Sequence, residues 1–553
     1  MRPNEKQLIT LQMHKKVSLL LNIEKRYLFT SLILCLIVVW VSSGTRRGPL
    51  IELYDFGEHA ASIREMSSHL FTPRNPLLNT DGSTTLRYTP YIFLLGLFKK
   101  ISRIDLFTLL TLASLVSFMF LIVGIYLWGK EYFHNDTLPF YILITLLFLW
   151  GKPFNYSNEY NLRFLSYTLF YPSTITFNLS FLGFYLILSY ARYEKAAHYF
   201  WYVLCATFIF LTHPLTASFF LLGSLLLVAT EGTRRLKHIG LYLLSLLVIF
   251  LLAVLWPYYP FVDALLKGTT TDWYYPFRMY LYDTRNIYRM GPALLGLPVV
   301  FLFLVKKQYP FISWGVGLCS CIYVASYCVN IRLGERYIFF IMFFLHLALA
   351  WYLSRLELLS LRKIKNTLPT LSEHTIHVLF FLIIVILSTV YQLTKLGFEQ
   401  TGHLINFKPK PIIDHYTNPL DHYLLLKDKL SEGDIVLSDP LTSWLLPALT
   451  GARIVALYHN SPLIPDNEQR TSDVIRFYNP TTSLEERKEI VKKYRATHLL
   501  LNFDRTKETE VNKINNYYQN FKIDQRLMDD VQKIGTITFK NKSFILLTLN
   551  HHS

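Results

Sequence analysis

Tyr88-Thr89-Pro90-Tyr91-Ile92-Phe93-Leu94-Leu95-Gly96-Leu97-Phe98-Lys99-Lys100-Ile101-Ser102-Arg103 is the stretch on which the sidedness of the whole chain turns. Its apolar part, Tyr91 to Phe98, falls well short of the ~20 residues that cross a bilayer as a helix. If it crossed, every later loop would change sides. Charge arbitrates. With the stretch lying along the interface, four basic loops share the side of the N-terminus, where Lys15, Lys16, Lys25 and Arg26 precede the first apolar run. Those loops carry Arg192 and Lys195; Arg234, Arg235 and Lys237; Lys306 and Lys307; and Arg355, Arg362, Lys363 and Lys365. Lys and Arg gather in cytoplasmic loops, so the interfacial assignment satisfies the rule and the crossing assignment breaks it. Lys99, Lys100 and Arg103 are then left outside, among lipid headgroups.

Working outward, the rest of the chain is a series of apolar runs. Of 553 residues, 52% are hydrophobic and 17% charged, against about a quarter charged in an ordinary soluble domain. Runs near 28–43, 104–129, 138–151, 172–190, 198–212, 214–230, 238–256, 291–305, 310–328, 337–354 and 375–394 give about eleven spans on the length criterion. Ser42-Ser43-Gly44 is a weak cleavage match, so the first run is read as a retained anchor. The net charge of +17 follows from membrane sidedness, and no basic face with interleaved aromatics argues for nucleic acid. Cys35, Cys205, Cys319, Cys321 and Cys328 all lie in apolar runs, where a small buried thiol is the ordinary reading.

This topology makes 1–27 a basic cytoplasmic N-terminus and 28–394 a transmembrane module with a first outer loop at 44–103. Residues 400–553 form an extracytoplasmic domain. Also outside lie 152–171, the Thr212-His213-Pro214 turn, 257–289 and 329–336. They are rich in Tyr, Trp, Pro and Arg, which suits a cleft at headgroup level. The last segment reads as α/β. Strands are expected at Asp434–Asp439, Ala452–Leu457 and His498–Asn502, and helices at Ser443–Thr450, Ser483–Tyr494 and Asn512–Phe521. A hairpin of Thr536–Phe539 and Phe544–Leu549 closes through Lys540–Ser543. No glycine-rich phosphate loop is present, so no nucleotide is expected.

The chemistry-bearing turn follows span one: Tyr54-Asp55-Phe56-Gly57-Glu58-His59. Asp55, Glu58 and His59 stand at i, i+3 and i+4 and share a helix face. Three readings stay open. The three side chains could hold a divalent cation; one carboxylate could be a general base; or Asp55 and Glu58 could form a capping-box-like pair.

A long first outer loop with an acidic motif directly after span one resembles the GT-C superfamily of integral-membrane glycosyltransferases. The resemblance extends to two interfacial helices, here Glu58–Leu70 and Pro90–Lys100, the second following Arg87-Tyr88-Thr89-Pro90 with one proline where the family has two. The His213-Pro214 turn, the Arg332–Arg336 stretch and a soluble domain after the last span are also similar. The fold this implies is an α-helical polytopic membrane protein with a C-terminal α/β domain. The activity it implies is inverting transfer of a sugar from a polyprenyl phosphate or pyrophosphate carrier to an outer acceptor hydroxyl of a glycan, lipid or protein. Asp55 would be the base, with Glu58 beside it. Arg332 and Arg336, then Arg285 and Arg289, would hold the leaving phosphate, a task the guanidinium fork suits. His213 would contact phosphate or acceptor. A divalent cation (Mg, Mn or Ca) at Asp55, Glu58 and His59 is an option, since only some branches use one.

Two other classes compete. A transporter would place ionisable residues near mid-membrane, whereas His346 is the one such side chain clearly inside a span. A non-catalytic membrane subunit would be favoured by a degraded acidic loop, and this loop is intact.

Overall fold

A computed structural model describes residues 24–43, 55–80, 85–154, 156, 158–232, 234–258, 261–267, 280–331, 333–364, 383, 386–394, 423–458, 463–503 and 520–550. Asn155, Arg332, the 273–278 stretch, most of the 375–394 run and the 512–519 part of an expected helix lie outside them.

The elements begin with α1 (Lys25–Ser43), α2 (Phe56–Ser68), α3 (Pro90–Ser102), α4 (Leu106–Phe133), α5 (Leu138–Phe148), α6 (Leu162–Thr168) and α7 (Pro172–Tyr193). Next come α8 (Ala196–Thr212), α9 (Pro214–Glu231), α10 (Arg235–Val254), α11 (Phe261–Lys267), α12 (Asn286–Met290), α13 (Leu297–Lys306), α14 (Pro310–Cys328) and α15 (Tyr337–Ile364). Among the described residues eight helical stretches are long and apolar enough to cross a membrane, and α5 and α8 are shorter apolar helices. The chain is a multi-pass membrane protein. Proline at the first turn starts α3, α5, α7, α9 and α14, where its missing N–H costs nothing. The five cysteines are free thiols.

Two compact units form, and they do not follow chain order. One comprises residues 1–42, 111–249 and 275–398; the other comprises 43–110, 250–274 and 399–553.

Among the described spans, those through α7 and α15 are the most enclosed. Their apolar faces meet through aromatic contacts: Phe177 lies edge-on to Phe343 at 5.8 Å, and Phe219 of α9 stacks on Phe340 at 4.2 Å. His346 is fully buried and donates from Nε2 to Leu149 O at 3.0 Å. Basic loops gather at one end of this bundle. Arg192 pairs with Glu131 and Glu231, and Glu194 pairs with Arg234 and Lys237. Aromatic contacts from Tyr132 to Tyr309 and from Tyr309 to Trp351 bring the Lys307 turn and Arg355 to the same end.

The second unit contains a C-terminal α/β region, with β1 (Ile435–Leu437), α16 (Pro440–Ser443), α17 (Leu446–Leu449), β2 (Arg453–Ile454), α18 (Asn467–Tyr478), α19 (Leu484–Tyr494), β3 (His498–Asn502), α20 (Gln525–Ile534), β4 (Gly535–Lys540) and β5 (Phe544–Leu549). The sheet order is β2-β1-β3-β5-β4, with β1 parallel to β2 and β3, and β5 antiparallel to β3 and β4. The expected Ser443–Thr450 helix is instead two short turns broken at Trp444 and Leu445, and the expected 452–457 strand shrinks to two residues. A segment of the first loop covers that short edge. Leu78 bridges Ile454 in parallel, and Ile454 N–H donates to Leu77 O at 2.8 Å. The edge that would invite another strand is thereby paired.

Candidate active site

Helix α2 begins immediately after Asp55, so the acidic turn sits at a helix N-terminus as its spacing predicts. The capping box does not form. Asp55 occupies the N-cap position with φ −61° and makes no side-chain bond to the helix backbone. Arg87 accounts for the difference, because its guanidinium draws both carboxylates. Its Nη1 is 3.6 Å from Asp55 Oδ2, and its Nη2 contacts Glu58 Oε2. The Glu58 side chain is nearly enclosed, while that of Asp55 keeps 38% of its surface exposed. Asp55 therefore keeps a partly accessible carboxylate, and Glu58 is a buried ion-pair partner.

His59 is turned inward. Its side chain is buried, and loss of hydration pushes its ionisation down to about 4 although the Asp55 charge opposes that shift. The imidazole is neutral at ordinary pH. Asp55, Glu58 and His59 do not fit a cation site: no three His, Cys, Asp or Glu side chains converge to hold a metal among the described residues, and Arg87 fills the space between the two carboxylates.

Close packing fixes α2. Gly57 faces the backbone carbonyl of Trp444, and a Cβ there would lie 2.6 Å from that oxygen. Glu65, on the same helix, receives Arg453 Nη2, the Arg74 backbone N–H at 3.0 Å and Arg74 Nε at 3.2 Å. Burial would raise its carboxyl ionisation, but those donors and charges hold it below the usual value. Arg453 also donates to Pro76 O at 2.9 Å.

The other sequence candidates lie in the first unit. Arg289 is held over the Tyr280 ring at 4.4 Å and donates to Pro153 O. Tyr280 lies flat against Tyr156 at 6.4 Å, and Arg336 sits over Tyr156 at 5.6 Å with Nη1 3.4 Å from Asn158 Oδ1. Arg289 and Arg336 are thus brought together around two tyrosines, although they come from different loops. Glu335, beside Arg336, is fully buried. Arg285 is elsewhere engaged: Asp283 takes its guanidinium in a surface pair, and the Arg285 side chain is 78% exposed. That pairing holds the Asp283 carboxyl down to about 2. His213 caps α9, its Nδ1 accepting from Thr216 N–H at 3.2 Å, which leaves Nε2 as its proton-bearing nitrogen.

Arg87 and the Tyr156–Tyr280 pair are the parts that sequence reasoning did not single out. A cation just ahead of the Thr89-Pro90 helix start, in the same loop as two carboxylates, was the available signal for Arg87.

No protein-family model matches the chain, and no curated protein matches it in sequence. Solved structures do. The Archaeoglobus fulgidus oligosaccharyltransferase AglB, in complex with an inhibitory peptide and a dolichol-phosphate, aligns over 96% of this chain and 77% of its own. The TM-score is 0.51 at 11% identity. The fold is similar to that of this archaeal oligosaccharyltransferase. The same enzyme tethered to an acceptor peptide with the NVT sequon aligns over 95% of this chain and 74% of its own, at TM-score 0.50 and 11% identity. At that identity the likeness is one of fold, and it bears out at that level the GT-C resemblance read from the sequence.

Proposed function

We propose that this protein is a membrane glycosyltransferase using a polyprenyl-phosphate or pyrophosphate sugar donor. The observation that carries the reading is the half-exposed Asp55 carboxylate at the first turn of α2, in a fold shared over 96% of the chain with a protein solved bound to dolichol-phosphate and peptide. The acceptor is a hydroxyl of a glycan, lipid or protein on the outer side of the membrane. Asp55 takes the hydroxyl proton as the oxygen attacks the anomeric carbon. The bond from that carbon to the phosphate oxygen breaks on the opposite face, so configuration inverts, and the lipid phosphate leaves as an anion.

Charge on the departing phosphate calls for cations. Arg289 and Arg336 are the first choices because they share one aromatic-lined group of loops, with Arg332 next in sequence to that group. Arg285 ranks below them because Asp283 already neutralises it. His213 ranks below them because its Nδ1 is engaged by Thr216.

Asp55→Asn is the test, with transfer from a polyprenyl-phosphate sugar measured in liposomes. A general base contributes typically 10²–10⁴-fold, and transfer is expected to fall by at least about 100-fold. Folding is expected to survive, since Asp55 makes no cap bond to lose. Wild-type transfer by Asp55→Asn would remove Asp55 as the base. Arg336→Gln should raise the donor KM about tenfold or more, from one lost charge-assisted contact.

A further inference from the structure

Arg87 is fixed independently of the carboxylates it meets. Its backbone N–H donates to Thr85 Oγ1 at 3.2 Å, and its carbonyl accepts from Thr89 N–H at 2.8 Å. Tyr88, next in line, is fully buried; its hydroxyl donates to Arg74 O, and its carbonyl accepts from Trp256 Nε1 at 2.7 Å. The guanidinium is thus delivered to the acidic turn by a backbone segment held at Thr85, Thr89, Arg74 and Trp256. It meets Asp55 with one nitrogen and Glu58 with the other.

A hard divalent cation takes six or more oxygen ligands, water included, and a guanidinium among them would repel it. This turn offers two carboxylates, both already facing a guanidinium that stays protonated at any pH a protein meets. His59, the third residue of the pattern, is enclosed. We propose that Arg87 is the resident counter-charge of the acidic turn, occupying the place a divalent metal would take, so that Asp55 and Glu58 are ordered without one. Arg87 is a positioning residue: it acts on the acceptor through Asp55. Its catalytic consequence rests on the transferase reading above, whereas its effect on metal binding does not.

The experiment uses the full-length protein in detergent and Mn²⁺ as probe, with bound ion read by electron paramagnetic resonance. Wild type is expected to show no Mn²⁺ site that Asp55→Asn removes, and its sugar transfer is expected to be unchanged by EDTA. Arg87→Gln is expected to lose transfer by about 10- to 100-fold in EDTA, the worth of a charge-assisted contact, and Arg87→Lys to recover part of that loss without metal. An Mn²⁺ site in wild type that vanishes in Asp55→Asn overturns the proposal. So does EDTA inactivation reversed by Mn²⁺, or wild-type transfer by Arg87→Gln in EDTA. If Arg87→Gln does not fold, the wild-type and Asp55→Asn titrations still decide. Failure of wild type to transfer from every polyprenyl-linked donor sinks the functional reading alone, because the Mn²⁺ comparison stands without it.

Discussion

At the scale of single residues, His59 ties the acidic turn to pH. Its folded ionisation lies near 4, below the ~6.5 of an exposed imidazole. A group depressed in this way stabilises the fold fully above its unfolded value, and that stability is lost as pH falls from 6.5 towards 4. The shift amounts to about 3 kcal/mol at most. Glu65, also held below its usual value, adds a loss at still lower pH, as its carboxylate protonates and leaves Arg453 and Arg74. Denaturant unfolding followed by tryptophan fluorescence should therefore weaken between pH 6.5 and 4.5. His59→Gln should flatten that slope, and equal slopes in the two proteins would refute the assignment. The sequence placed His59 on the face of Asp55 and Glu58 from spacing alone. It could not reveal that the imidazole is buried, because burial is set by packing against distant segments, such as the one that brings Trp444 onto neighbouring Gly57.

At the scale of elements, what was legible had local causes. Thr89 accepts from Ile92 N–H and Pro90 starts α3; Ser483 and Glu486 close a capping box on α19; Asn541 Oδ1 accepts the turn N–H groups of the 540–543 hairpin loop. Each signal lies within a few residues of its effect. Helix α20 was missed although Asp524 caps it and Leu527, Val531 and Ile534 are buried at helical spacing. Helix α18 was missed because its polar Arg470 and Asp473 are buried too, which blurs the apolar stripe. The close approach of α2 to Trp444 carries its own prediction. A methyl group at Gly57 would meet a backbone oxygen at 2.6 Å, which cannot rotate away, so Gly57→Ala must shift the helix that begins just after Asp55. A displacement of even 1 Å in a catalytic group can cost ~100-fold. Transfer by Gly57→Ala should drop by that order while membrane insertion and expression stay normal, and an unaffected rate would mean the turn relaxes freely.

At the scale of the whole molecule, the two-unit division yields a rule about membrane sides. Residues 43–110, 250–274 and 399–553 form one compact body, tied by Leu78 on Ile454, Arg453 on Glu65 and Trp256 on Tyr88. A compact body of loops and a soluble domain lies on one side of a bilayer, so the chain must cross an even number of times between its pieces. From α4 to α10 that holds with the short helices α5 and α8 both counted or both omitted. After residue 275 only three spans are described: the stretch through α12 and α13, then α14, then the stretch through α15. Three is odd, so we infer one further crossing before β1, and by length the apolar sequence at 375–394 is the expected candidate for it. The basic loops meeting at one end of the bundle lead us to expect that end on the cytoplasmic side. Reporter fusions should give cytoplasmic signals at Lys307 and Arg362 and an outside signal at Ser553. Matching signals at Arg362 and Ser553 would leave the soluble domain on the opposite side from Asp55, and neither the shared body nor the proposed site could then exist in the membrane.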